Sequence, residues 1–185
     1  MRYDPRVPAQ LRLANPDDAA LFVALVREGF AGTRGYPNPS SALDETEVQV
    51  RAALERDFGI VARLHGDDVG SARFRLEWAR PPSFDEHEAV RAAAAGHAVT
   101  GSPGGRLFFS RLTVLPRARR RGVAHDMIRY LSILSLRCGI DTLAITVRSQ
   151  QPDNRPLWQH LGFEITGYSE RYGIDDMVTH MQRKL

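Results

Sequence analysis

LFFSRLTVLP, RARRRGVA and HDMIRYLSILSL, read continuously from Leu107 to Leu136, form the stretch that decides how this chain folds. The first piece is a nearly unbroken apolar run with β-branched and aromatic residues, the pattern of a strand buried on both faces. The third places Ala124, Met127, Ile128, Leu131, Leu134 and Cys138 close to the i, i+3, i+4, i+7 spacing of a helix with one buried face. Between them lies an arginine-dense turn that closes on Gly122 and Ala124. A strand, a turn with small residues and a helix start together make a phosphate cradle. The first amides of a helix have no partner within it, and the helix dipole adds partial positive charge there. Small residues at Gly122 and Ala124 let those amides approach an anion. The dipole contributes only about 0.3–1 kcal/mol per charge, whereas charge-assisted hydrogen bonds contribute roughly 1.5–3 kcal/mol each, so the arginines outweigh it.

The turn is not the phosphate loop of a nucleoside triphosphatase, because no G-x-x-x-x-G-K-S/T occurs. It is not a dinucleotide fingerprint either, which needs three glycines and a later acidic residue. With 185 residues the chain fits one domain spanning 1–185. Its net charge of +3 makes the basicity local to the turn rather than general. The single cysteine, Cys138, excludes an internal disulfide and points to a cytoplasmic setting. The sequence has no apolar run long enough to span a membrane, and no apolar leader is expected at its start.

Outward from the central stretch, Leu11–Leu13 reads as a short strand, and Asn15-Pro16-Asp17-Asp18 as a helix start with Asn at the cap. Residues 31–43 form a Gly-, Pro- and Ser-rich loop, and Asp44-x-x-Glu47 has the spacing of a capping box opening a helix to about Asp57. Phe58–His65 and Val69–Trp78 read as a hairpin about Gly66-Asp67-Asp68. Residues 83–106 carry a second box, Ser83-x-x-Glu86, and an alanine-rich helix; a surface excursion is the plainer reading, a lid the sharper one. Beyond the central helix, Gly139 is a helix stop, Thr142–Val147 a strand, Pro152–Leu161 a short helix, and Phe163–Tyr168 and Met177–Leu185 two closing strands.

Val114-Leu115-Pro116 followed by Arg119-Arg120-Arg121-Gly122-Val123-Ala124 resembles the acyl-CoA loop of the GNAT superfamily of N-acyltransferases, Q/R-x-x-G-x-G/A after a strand ending V-x-P. Asn154 to Phe163, NRPLWQHLGF, is similar to the family's later segment N-x-P-L/F-Y/W-x-x-x-G-F. The order of elements agrees along nearly the whole chain, with 83–106 as an insertion. The resemblance implies an α/β fold with a mixed central sheet flanked by helices, whose parallel strand pair splays around acetyl-CoA. It also implies an enzyme transferring the acetyl group to a small-molecule or peptide amine by direct attack, possible as a homodimer. Backbone groups of Leu112, Thr113 and Val114 are expected along the pantetheine arm, Arg119, Arg120, Arg121, Gly122, Val123 and Ala124 at the pyrophosphate, and Asn154 and Trp158 beside the cofactor.

The resemblance thins at the catalytic groups. Where many members carry a glutamate on the central strand this chain has Arg111, which cannot act as a base. Glu77 is the nearest carboxylate in sequence terms, with an ordinary surface-strand role the competing reading. The usual acid, a tyrosine, is replaced by Trp158, leaving Tyr168 or Tyr172 as substitutes. Ser110-Arg111 before L-x-V is similar to acyl-homoserine-lactone and N-acyl amino acid synthases, which suggests Arg111 for an acceptor carboxylate; pairing with a buried acid is the structural alternative. A longer acyl donor and a non-catalytic acyl-CoA sensor therefore stand beside the acetyltransferase reading. Nucleic acid is not expected as a partner: four arginines among residues 117–121 lack interleaved aromatics. No membrane partner is expected. The histidines share no metal-ligand spacing, so no metal is expected, and Cys138 reads as core.

Overall fold

The computed structural model describes residues 7–36, 38–80, 82–99, 104–149, 153–171 and 174–185. Seven strands form one sheet in the order β1 (Gln10–Leu13), β2 (Phe58–Leu64), β3 (Asp67–Trp78), β4 (Gly105–Val114), β5 (Thr142–Arg148), β7 (Ile174–Lys184), β6 (Glu164–Arg171). Every neighbouring pair is antiparallel except β4 and β5, which are parallel. The helices are α1 (Ala19–Gly29), α2 (Glu47–Arg56), α3 (Glu86–Ala94), α4 (Val123–Arg137) and α5 (Arg155–His160).

Helices cover both faces of the sheet, which explains the unbroken apolar runs. In β2, Ile60 and Ala62 belong to the core that Met127 and Leu131 of α4 fill, while Val61 points the other way to Phe22 of α1 and Leu54 of α2. Leu107 and Phe109 of β4 lie in the same core as α4. At the α1 end, Gly29 is needed for close approach. A Cβ there would stand 2.3 Å from the Thr113 Cγ2 methyl.

Two helix starts differ from the sequence expectation. Asp44 ends a short 3-10 turn, and α2 is capped two residues later by the reciprocal Thr46–Gln49 box. In α3, Asp85 is the cap, accepting from the Glu88 amide at 2.7 Å; the Glu86 carboxylate is instead taken by the Trp78 indole at 3.0 Å. The hydrogen bond each acid finds in three dimensions overrides its spacing. Within 83–106, the described helix α3 packs on the core and lines no part of the β4–β5 cleft. Ala89, Val90 and Ala93 bury one face of α3 in the core, His87 packs on Phe58, and Arg137 of α4 donates to the Ala93 carbonyl.

β4 and β5 pair only at Leu107–Leu143 and Phe108–Ala144. Beyond that point the strands part. The β3–β4 ladder also skips a residue there, moving from Arg73–Ser110 to Ser71–Thr113, and Arg111 takes φ of 54°, the left-handed geometry of a bulge. The bulge thus lies just past the fork where β4 leaves β5, on the length of β4 that leads to the arginine turn.

Candidate functional site

The fork is a cleft of about 420 Å³. Phe108 to Leu112 of β4 form one wall and Ile145 to Arg148 of β5 the other; Asn154 and Trp158 close one side, and Thr33, Tyr36 and Ser40 reach in from the α1–α2 loop. Trp158 meets Phe109 and Phe163 edge to face at centroid distances of 5.7 and 5.4 Å, so its ring is both core and cleft wall. Beyond Phe108, the β5-facing edge of β4 has no strand partner, which leaves backbone groups able to receive an extended chain.

At the end of β4 the chain passes through a 3-10 turn (Pro116–Ala118) to Gly122, which caps α4 with φ of 78° and no side-chain cap. The amides of Val123, Ala124 and His125 draw no backbone acceptor among the described residues. The four arginines divide their work. Arg117 pairs with Glu28, and Arg119 donates to the carbonyls of Gly29 and Val114, latching α1 to β4. Arg121 contacts the His65 ring at 3.1 Å, and Arg120 makes no side-chain bond among the described residues. Two of the four guanidinium groups are therefore engaged in tying the turn to α1 and β4, and Arg120, Arg121 and the helix amides are the remaining donors of the turn.

The structure does not bring Glu77 to the cleft. Its carboxylate bonds Arg106 and Arg75 in a separate depression with Trp78 and Thr142, behind the last β4–β5 pairs. Burial pushes this carboxyl up, but the two guanidinium groups together hold it below its ordinary value. A carboxylate so held is a poor base. Tyr168, on β6, is 54% exposed, interacts with Arg155 and does not line the cleft; Tyr172 lies outside the described residues. Arg111 does line it, but Nε and Nη2 donate to Glu45 Oε1 at 3.2 and 3.0 Å, and Nη2 also reaches Ser41. Glu45 is shared with Arg73 at 2.8 Å. From the opposite wall, Arg148 donates to the carbonyls of Asn38 and Pro39. One arginine on each wall thus ties the 38–45 segment across the cleft. Neither Glu45 nor Arg148 stood out in the sequence: the first fell in the expected first turn of a helix, the second just beyond the expected strand Thr142–Val147.

The parted parallel pair and the turn after β4 are the arrangement that the sequence resemblance implies. A model of the acetyltransferase (GNAT) family matches residues 23–163. The chain belongs to that family. Among curated proteins none matches. The GNAT fold is seen again in solved structures. A GCN5-related N-acetyltransferase of Rhodopseudomonas palustris is 18% identical, with all of both chains covered and a TM-score of 0.67. A Salmonella typhimurium protein named as an acetyltransferase, solved with its cofactor acetyl-CoA, is 19% identical over 97% of this chain and 95% of that one, with a TM-score of 0.61. A GNAT acetyltransferase of Streptococcus pneumoniae is 18% identical over 96% and 99%, with a TM-score of 0.60. This GNAT chain is an acetyltransferase of the class that uses acetyl-CoA. No described helix is long and apolar enough to cross a membrane, and among the described residues no His, Cys, Asp and Glu group forms a metal-ligand cluster.

Proposed function

We propose that the protein is an N-acetyltransferase that brings acetyl-CoA and a primary amine together in the β4–β5 fork, where the amine attacks directly. The observation that carries this reading is the parting of β4 from β5 after only two residue pairs, which leaves the rest of β4 unpaired on that edge as it runs toward the Arg120–Ala124 turn. The residues present fit the donor. The free edge of β4 at Leu112, Thr113 and Val114 takes the pantetheine arm as an added strand would. Arg120, Arg121 and the amides about Gly122, Val123 and Ala124 hold the pyrophosphate, and Arg119 shapes the turn through its bonds to Gly29 and Val114. Trp158 and Asn154 confine the apolar part of the cleft. When bound, acetyl-CoA supplies an activated thioester carbonyl, which a β4 amide polarises. Thiolate is a tolerable leaving group, with an ordinary thiol pKa near 8.5, so a dedicated acid is dispensable. Arg111 acts chiefly by holding Glu45 and Ser41 on the acceptor side.

Calorimetry of acetyl-CoA binding to the wild type and to Gly122→Glu, each checked by thermal unfolding, tests the reading. Binding in the wild type and its loss in a folded variant support it; equal binding in both places the donor elsewhere. A sensor without turnover is the second reading, favoured by the absence of a carboxylate among the described cleft-lining residues. Release of CoA thiol with any primary amine overturns it.

A further inference from the structure

The cleft contains no described carboxylate, yet an ammonium acceptor with a pKa near 10.4 must lose a proton before it can attack. β4 and β5 run parallel, so two residues beyond their last pair, Phe108–Ala144, Ser110 and Thr146 come level on the same side of the sheet, one on each arm of the fork. Both line the cleft. Thr146 is exposed to it, and directly across the next ladder stands His180 of β7. The Thr146 hydroxyl meets His180 Nδ1 at 3.4 Å, and His180 Nε2 meets the Ser169 hydroxyl of β6 at 2.8 Å. A hydroxyl in the cleft is thus backed by an imidazole, and the imidazole by a second hydroxyl. Histidine is the side chain whose ordinary pKa lies in the physiological range.

We propose that Thr146 and His180 form the route by which the acceptor ammonium loses its proton, a step that rests on the acetyltransferase reading above. With Nε2–H donating to Ser169 Oγ, Nδ1 is free to accept from Thr146. The ammonium N–H bond breaks, its proton passes to Thr146 Oγ1, and the threonine proton passes to Nδ1. The nitrogen keeps the electron pair, so the acceptor becomes a neutral amine and His180 an imidazolium that returns its proton to water. After attack, the second proton leaving the nitrogen goes to the departing thiolate, and charge balances. The 3.4 Å contact is long, and such contacts commonly tighten only when substrate is held. Among the described side chains on this side of the sheet, the charged neighbours of His180 are Arg148 of β5, which faces Val178, and Glu164 of β6, which faces Gln182.

The test pairs His180→Gln, Thr146→Val and Thr146→Ser with the wild type, read by kcat/KM against pH with a panel of primary amines, by acetyl-CoA affinity and by the NMR titration of the His180 ring. In the wild type the acidic limb of the profile follows the NMR titration of His180. His180→Gln and Thr146→Val each lower kcat by about 100-fold or more, the scale of general-base catalysis, and remove that limb, with acetyl-CoA affinity within about twofold. Thr146→Ser keeps both rate and limb. Retention of the limb in His180→Gln, a fall in acetyl-CoA affinity that matches the fall in rate, or a His180 titration that Thr146→Val leaves unmoved would each overturn the relay. Failure of the wild type to bind acetyl-CoA would overturn the parent reading instead, while the ring titration still judges the Thr146–His180 coupling.

Discussion

Arg111 shows how a residue can face a ligand cleft while its hydrogen bonds serve the fold. Its bonds to Glu45 and Ser41 are charge-assisted and partly shielded, so Arg111→Ala leaves Glu45 to Arg73 alone. The expected loss is about 1–3 kcal/mol by urea unfolding, with acceptor KM raised through displacement of the 38–45 segment. An acceptor KM increase with unchanged unfolding would mean that Arg111 clamps the acceptor itself. Gly29 gives a sharper structural test. Gly29→Ala drives a methyl against Thr113 Cγ2 and is expected to cost about 1–3 kcal/mol, measured the same way. At this scale the sequence revealed the Gly122 turn at the start of α4 and the absence of a glutamate at position 111, because both are local in the chain. It could not reveal that Arg117 and Arg119 are spent on Glu28 and Gly29, partners some ninety residues away. Glu77 also looked available, although Arg75, two residues along the same strand, and Arg106, opposite it on β4, already hold it.

Among the elements, α3 is the one whose role the chain order leaves open. Helical propensity and an alanine run announce the helix, but not the surface it covers. Its buried Val90 and Ala93 make it part of the α4 core. Val90→Asp places a carboxylate without a partner in that core and is expected to lower the unfolding midpoint sharply, at a cost of several kcal/mol. A lid would behave otherwise: the same change would alter KM and leave the midpoint in place. The parallel strands were legible as apolar runs, and the helix between them as a 3.6-residue period. The resemblance implied that the strands part, but not that they do so after Phe108–Ala144, since that position goes with the bulge at Arg111 and a register that alternation alone cannot set. That register is also what brings Thr146 to His180.

For the molecule as a whole, two layers of helix on one sheet bury Cys138 completely, and burial pushes its thiol up to about 11. The folded chain therefore holds this proton at a pH where the unfolded chain, with an ordinary thiol pKa near 8.5, has released it. More protons in the folded state mean that stability falls as pH rises, so this contribution is complete below about pH 8.5 and disappears as pH climbs toward 11. Urea midpoints across that range check the sign, and a Cys138→Ser control removes the pH-dependent part. The central claim is that the β4–β5 fork and the turn after it hold acetyl-CoA. Backbone amide exchange followed by NMR, with and without acetyl-CoA, tests this most directly. The account predicts new protection at Leu112–Val114 and Arg120–Ala124; protection confined to other parts of the molecule would contradict it.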